Sequence, residues 1–517
     1  MTGVSAFWGL TRFNLRHLLL SPVFLVLVPL TLLGLAYSSY QPAMPTWSEL
    51  VEEVKLMTVV LAVVMFAVTT FPSLREVRHS AGFALPLSSR TRLLSLALAS
   101  VVVMSGCVGV LVALYALSGS GPIAGTVSPL ALIALVVLGW CGPLAAVASA
   151  AWTRSYTPLV MLLLLVPAYL LYTLTSMGTR ADEVLRRLGG VANWVVDPLP
   201  VVQQPAVTEL ALLTLLHTSF LAAFLLVFAL AGRSGARTFR PVSLGAAGVL
   251  LLGLFSVTVH AENTYTYGSP FTDEQLYGSE ADPCRVREGV TYCPLPGYES
   301  WVDYWHAALG PAVAQIPERA RDRVPTLWQG NQNLRRDFRA FQTGGSWFPY
   351  DDHVFPPEGT VIVYDQWDPE DPYFREVLVT EVTASMLGLP WFHEGPCQGT
   401  GQARIVLGAW LVSVDETLSE TESVNAAESF LTAFAPSPLD LRVAHTVIGL
   451  PPESVAPVVE EHWETLLSPD TTTGELADLL DLPLYEDDVL PELDWGRSLW
   501  AEYPVPVVPD WHGPTCR

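Results

Sequence analysis

The chain has 517 residues, 51% of them hydrophobic and only 15% charged, where an ordinary soluble domain carries about 25% charged residues. Residues 1–260 hold 13 Arg, one Lys and 8 acids, a net +6, whereas residues 261–517 hold 13 Arg and 42 acids, a net −29. This excludes an all-soluble protein and a nucleic-acid binder working through a basic patch. It also predicts two materials in one chain, an apolar half and an acidic half.

Residues 1–17 read as an amphipathic helix lying on a membrane surface. Phe7, Trp8 and Phe13 suit the headgroup zone, and Arg12 and Arg16 are spaced to snorkel. Ser21-Pro22 then opens the first of seven stretches of about 20 apolar residues, the length a spanning helix needs. They run at 18–37, 54–73, 93–117, 127–150, 157–176, 208–231 and 242–260. An apolar run this long, followed by six more, reads as an uncleaved span and not a signal peptide. No alternating pattern suggests a barrel.

Arginine placement predicts the orientation. With residue 1 in the cytoplasm, the inner segments hold Arg12, Arg16, Arg75, Arg78, Arg90, Arg92, Arg154, Arg233, Arg237 and Arg240. The outer loops of residues 1–260 hold four basic residues, Lys55, Arg180, Arg186 and Arg187. Seven spans then put residues 261–517 outside, as an acidic extracytoplasmic domain on a plasma-membrane protein. His217, in the sixth span, reads as a packed, hydrogen-bonded residue and not as part of a proton relay.

In the acidic half, residues 261–300 read as a loop-heavy lead-in. Helical spacing begins with Trp301, Tyr304, Trp305, Ala308 and Leu309. Residues 359–365 read as a strand, and 373–387, 402–418, 424–434, 439–449, 453–467 and 474–481 as helices. The fold class is therefore a polytopic α-helical membrane domain plus a helix-dominated α+β outer domain. Cys284, Cys293, Cys397 and Cys516 all fall in the acidic half, which suggests two disulfides in an oxidising compartment. Three pairings exist; Cys284–Cys293 with Cys397–Cys516 is preferred because the first pair closes a short loop. Cys107 and Cys141 lie in spans and read as small apolar packing residues.

Residues capable of chemistry are few. The single lysine, Lys55, has no glycine-rich loop before it, so the chain carries no phosphate-cradling Walker motif. His393-Glu394 and Glu460-Glu461-His462 lack zinc-ligand spacing. The carboxylates Asp365, Asp368, Glu370 and Asp371, and Glu486-Asp487-Asp488, do not follow a calcium-loop pattern. The sequence calls for no catalytic residue, no cofactor and no metal in this chain.

Three stretches together resemble the permease subunit of an ABC exporter of the type-2 class. They are the entry segment Phe7–Leu18, the inner loop Arg75–Arg92, and the tight turn Ala151–Pro158. In that family the loop between spans two and three has an Arg-Glu-Arg start, a glycine, a leucine-rich stretch and a Leu-Pro-Val-Ser-Arg end, and it docks on the ATPase. The resemblance implies that Arg75, Glu76, Arg78, Gly82, Leu85, Pro86 and Ser88 form the docking element, with Trp8, Arg12 and Arg16 on the interfacial helix. It implies a separate ATPase subunit, a second permease (a homodimer or a paired chain), and outward transport. A seventh span is added to the family's usual six. Some members carry a zinc-peptidase-like outer domain, and helix 375–388 stands where His-Glu-x-x-His would lie. Here Thr380 and Ala384 occupy the histidine positions and only Glu381 remains, so such a site would be dead. The rival expectation is a membrane-anchored extracellular binding module, or a catalytically dead peptidase-like envelope protein.

Overall fold

The computed structural model describes residues 3–38, 46–79, 88–118, 123–126, 128–161, 208–232, 239–265, 284–330, 359–364, 372–389, 397–415, 417–482 and 515–516. One compact unit holds the described residues up to 265, and a second holds those from 284 onward.

The first unit is built of helices: α1 (Gly3–Leu19), α2 (Pro22–Ser38), α3 (Trp47–His79), α4 (Ser89–Ser118), α5 (Pro129–Thr153), α6 (Thr208–Gly232) and α7 (Phe239–Tyr265). Five of these, α3 to α7, are long and apolar enough to cross a membrane, or six spans if the bent α1–α2 pair is counted as one. The bend measures 62°. Its cause is local: Pro22 cannot donate a backbone hydrogen bond and disfavours helical geometry at Ser21 before it. α1 therefore closes with Leu20 N–H on Arg16 O at 3.0 Å, and α2 opens with Leu25 N–H on Ser21 O at 2.9 Å. The expected first span, 18–37, is corrected accordingly. Its first two residues belong to α1, and α2 has 17 residues, about 25 Å of helix. The expected span 157–176 is helical over 157–161 and otherwise lies outside the described residues.

α5 is the hub of this unit, packing on α3, α4 and α6, while α6 carries α7 and α4 carries α1. Small residues bring the backbones close. A Cβ added to Gly142 of α5 would stand 2.1 Å from the Ala62 carbonyl oxygen of α3. Leu61, Met65, Val108, Ala146 and Val147 are fully enclosed, whereas Val249, Leu252 and Phe255 on α7 are more than 60% exposed. His217 of α6 is buried and shares a 3.2 Å hydrogen bond with the Thr258 hydroxyl of α7.

The second unit joins a four-stranded sheet to a helical bundle. The strands are β1 (Arg285–Arg287), β2 (Val290–Cys293), β3 (Thr326–Gly330) and β4 (Thr360–Tyr364), in that spatial order. β1 and β2 are antiparallel, and β2–β3 and β3–β4 are parallel. The β1–β2 hairpin replaces the loop expected over that stretch. Its two connecting residues, Glu288 and Gly289, have φ of 48° and 88°, the left-handed pair that a tight hairpin requires.

The helices are α8 (Trp301–Ala314), α9 (Pro372–Met386), α10 (Ala403–Ser413), α11 (Glu420–Thr432), α12 (Pro438–Ile448), α13 (Pro452–Leu466) and α14 (Thr473–Leu479). All eleven residues of α10 are buried, Arg404 included; α9 and α11 to α14 pack around it. Three capping boxes start helices here: Ser419 with Glu422, Ser437 with Asp440, and Thr472 with Glu475. Disulfides join Cys284 to Cys293 and Cys397 to Cys516, the pairing preferred from the sequence.

Candidate functional site

Among the described residues, two places gather groups able to act on something else. The first is the arginine-rich end of the helix bundle. α3 has 33 residues, about 50 Å, so it outruns a hydrocarbon core of about 30 Å. Its last turns carry Arg75 and Arg78, both exposed, and half-buried Glu76. Glu76 is tied to Arg92 of α4 by a 2.6 Å ion pair, and the Arg92 side chain is only 6% exposed. Arg78 donates from Nε to the Arg154 carbonyl at 3.2 Å. Its guanidinium also lies 5.0 Å over the Tyr156 ring, a cation–π contact. The turn after α5 is held for this by Arg154 at φ 53°, its N–H bonded to Ala150 O.

Ser88 precedes α4, and its hydroxyl accepts from the Thr91 N–H at 3.2 Å, the pattern of a helix N-cap. α1 joins the same assembly: Asn14 donates to the Ser95 hydroxyl of α4 at 2.8 Å. Leu18 of α1 is buried, while Trp8, Arg12, Phe13 and Arg16 are exposed. Of the docking residues expected from the sequence, Arg75, Glu76, Arg78 and Ser88 are thus placed together, and Gly82, Leu85 and Pro86 lie outside the described residues. The Glu76–Arg92 tie was not anticipated, because it pairs residues across a connection that no periodicity links.

The second place is a cavity of about 420 Å³ in the acidic unit, formed by α8, α9, the end of α10, and α11. Arg375 and Asp415 form an ion pair in its wall, with side chains 23% and 7% exposed. Asp415 is also held by the Thr417 N–H at 2.8 Å and the Thr417 hydroxyl at 2.7 Å. Burial lowers the Arg375 pKa, and the nearby Glu422 carboxylate opposes that shift. Glu422 accepts from the Ser419 hydroxyl at 2.6 Å and the Ser419 N–H at 2.8 Å, which holds its carboxyl below the usual range. Glu376 is different. Burial pushes its carboxyl up to about 7, and the Ser429 hydroxyl pulls it back only in part.

Other sequence candidates come to little. Thr380 and Ala384 of α9 are buried in packing, and Glu381 beside them is partly buried. Glu460 pairs with Arg319 at 3.1 Å. Among the described residues no three His, Cys, Asp or Glu side chains gather as a metal site would need. His393-Glu394, the carboxylates between 365 and 371, and Glu486-Asp487-Asp488 lie outside the described residues. No family model, no curated protein and no solved structure matches this chain.

Proposed function

We propose that the chain is the permease subunit of an ATP-driven exporter of the type-2 ABC class. A separate ATPase would dock on the cytoplasmic connection 74–92 between α3 and α4. A second permease, a homodimer partner or paired chain, would complete the path through the plasma membrane, with the acidic region outside. The observation that carries this reading is the construction of the arginine-rich bundle end. A surface helix meets a short apolar helix at 62°, and two exposed arginines sit on a helix long enough to protrude. A half-buried ion pair clamps α3 to α4.

The mechanics follow from those contacts. A push on the 74–92 connection reaches α3 and α4 together, because Glu76–Arg92 ties them just inside it. α5 has no slack against α3 at Gly142 and Ala62, so it moves too. α7, weakly covered within the chain, presents a face to lipid or to a second permease. The chain itself does no covalent chemistry in this scheme; ATP hydrolysis belongs to the partner, since no phosphate loop exists here.

The test is a gentle-detergent pull-down of the full chain from its native membrane, with mass spectrometry of what accompanies it. A stoichiometric P-loop ATPase is expected. Its absence under conditions that preserve other membrane complexes would overturn the reading in favour of an anchored extracytoplasmic binding protein.

A further inference from the structure

The cavity in the acidic unit has the make-up of a ligand site. Its volume, about 420 Å³, falls in the range of small-molecule pockets, which combine apolar walls with a few placed polar groups. Ala308, Ala312, Val379, Leu418 and Ala426 supply the apolar wall. The polar groups are Arg375, Asp415, Glu422, Glu376 and Ser429.

These five are not equivalent. Asp415 and Arg375 neutralise each other. Glu422 is engaged by Ser419. Glu376 forms no ion pair with a described residue. Ser429 lines the same cavity at 4% exposure; its hydroxyl lies within electrostatic reach of Glu376 but makes no hydrogen bond of normal distance and angle. A buried polar atom left without a partner costs free energy; the Ser429 hydroxyl is in that condition, and the half-buried Glu376 beside it lacks a counter-charge at the wall of the same cavity. The wall carries three carboxyls against one guanidinium, so an anion is disfavoured. A metal ion would need several ligands, and only one carboxyl is uncommitted.

We propose that this cavity binds a small organic cation, an ammonium or guanidinium group on an apolar stem, with Glu376 as the carboxylate that receives the charge and Ser429 as its neighbouring hydrogen-bond acceptor. The described residues that line the cavity all belong to the acidic unit, so its ligand chemistry is independent of whether the helices transport anything. A cation would supply the counter-charge that burial denies Glu376. The titratable groups facing Glu376 are Tyr373 and Arg375 on its own helix, Asp415 after α10 and Glu422 on α11; α8 brings none to the cavity. Glu422 is already held ionised and Asp415 ion-paired, so binding should strengthen with rising pH through neutrality as Glu376 ionises.

The experiment is isothermal titration of the full chain in lipid nanodiscs. The probes are phenethylamine and N-acetyl-phenylalanyl-arginine amide, each against its uncharged counterpart, 2-phenylethanol and the citrulline dipeptide. At least one cation should bind roughly tenfold or more tighter than its counterpart at pH 8. Binding of phenethylamine would identify a free amine, and of the dipeptide alone a basic peptide side chain. Glu376→Gln should lose roughly tenfold of that affinity and flatten its pH dependence, while raising the thermal stability of the chain. Glu376→Asp should keep part of the affinity. Equal binding of charged and uncharged probes, no saturable binding of either cation at millimolar concentration, or undiminished binding by a folded Glu376→Gln chain would each overturn the proposal.

Discussion

The two units solve the same packing problem with different materials. In the helical unit the contacts that fix geometry are made by absence: Gly142 has no side chain, so α5 lies against the Ala62 carbonyl of α3. Several of its polar ties join one side chain to another across single helix pairs, as in Glu76–Arg92, Trp140–Ser105 and His217–Thr258. In the acidic unit the backbone itself is held by side chains. Asp440, fully buried, accepts from Ser437 N–H at 2.7 Å, Gly401 N–H at 2.8 Å and the Thr473 hydroxyl. Arg404 donates to the carbonyls of Cys516 at 2.9 Å and Gly388 at 3.2 Å, and to Gln402 at 2.8 Å. A bilayer removes the hydrophobic drive between helices and leaves close packing to decide. In water the same helices need caps, cross-links and satisfied buried polar groups.

That contrast can be broken most strongly at the disulfides. Cys397–Cys516 spans 119 residues and Cys284–Cys293 spans 9. The chain-entropy model assigns about 5 kcal/mol to the long closure and about 3 to the short one. Cys397→Ser should therefore lower the unfolding temperature of the acidic unit more than Cys284→Ser, and neither should change the helical content of the first unit. Differential calorimetry and far-UV circular dichroism of the full chain check both.

Asp440→Ala should come next, at roughly 2–4 kcal/mol, because it strands two backbone N–H groups and a hydroxyl; chemical denaturation followed by tryptophan fluorescence reads it. Gly142→Leu tests the other material. It overpacks a backbone contact and should cost about 1–3 kcal/mol or more, seen as a lower unfolding temperature in detergent with the acidic unit unaffected.

Glu376→Gln should move stability the other way, in a pH-dependent manner. The folded carboxyl titrates at about 7 instead of 4.5, so between those values the folded state binds more protons than the unfolded one. Stability then falls as pH rises through that window. The variant should match the wild type below pH 4.5 and exceed it by up to about 3 kcal/mol above pH 7. The smallest effect belongs to Ser419→Ala, about 1 kcal/mol for a lost N-cap, measured by thermal melts.

The spans now seen as α3 to α7 were legible because a run of 20 apolar residues is a local signal, whereas the expected first span ran across the break that Pro22 imposes. The helices of the acidic half were legible from their apolar spacing, with ends shifted: the helix expected from 474 starts at Thr473 and is capped by Thr472. The β1–β2 hairpin was readable in principle from the alternation Arg285-Val286-Arg287 and Val290-Thr291-Tyr292 around Glu288-Gly289, but its strands are only three and four residues long. The cavity was not legible. It brings together residues from 308 to 429, and only tertiary packing decides which faces meet. One clue lay in the sequence: Glu376 falls on the same helical face as Val379, Thr380 and Thr383, a lone acid in a buried stripe. The Glu76–Arg92 clamp likewise joins residues read separately, Glu76 as part of the docking element and Arg92 as an inner-loop charge.

The central claim is that the exposed arginines ending α3 meet an ATPase. Replacing Arg78 with a photo-cross-linking amino acid in the native membrane, then sequencing the adduct, tests it directly. A P-loop ATPase linked at position 78, and absent when the same probe stands at exposed Tyr304 in the acidic unit, is the expected result. Adducts to lipid alone, or to proteins without a nucleotide-binding loop, would contradict it.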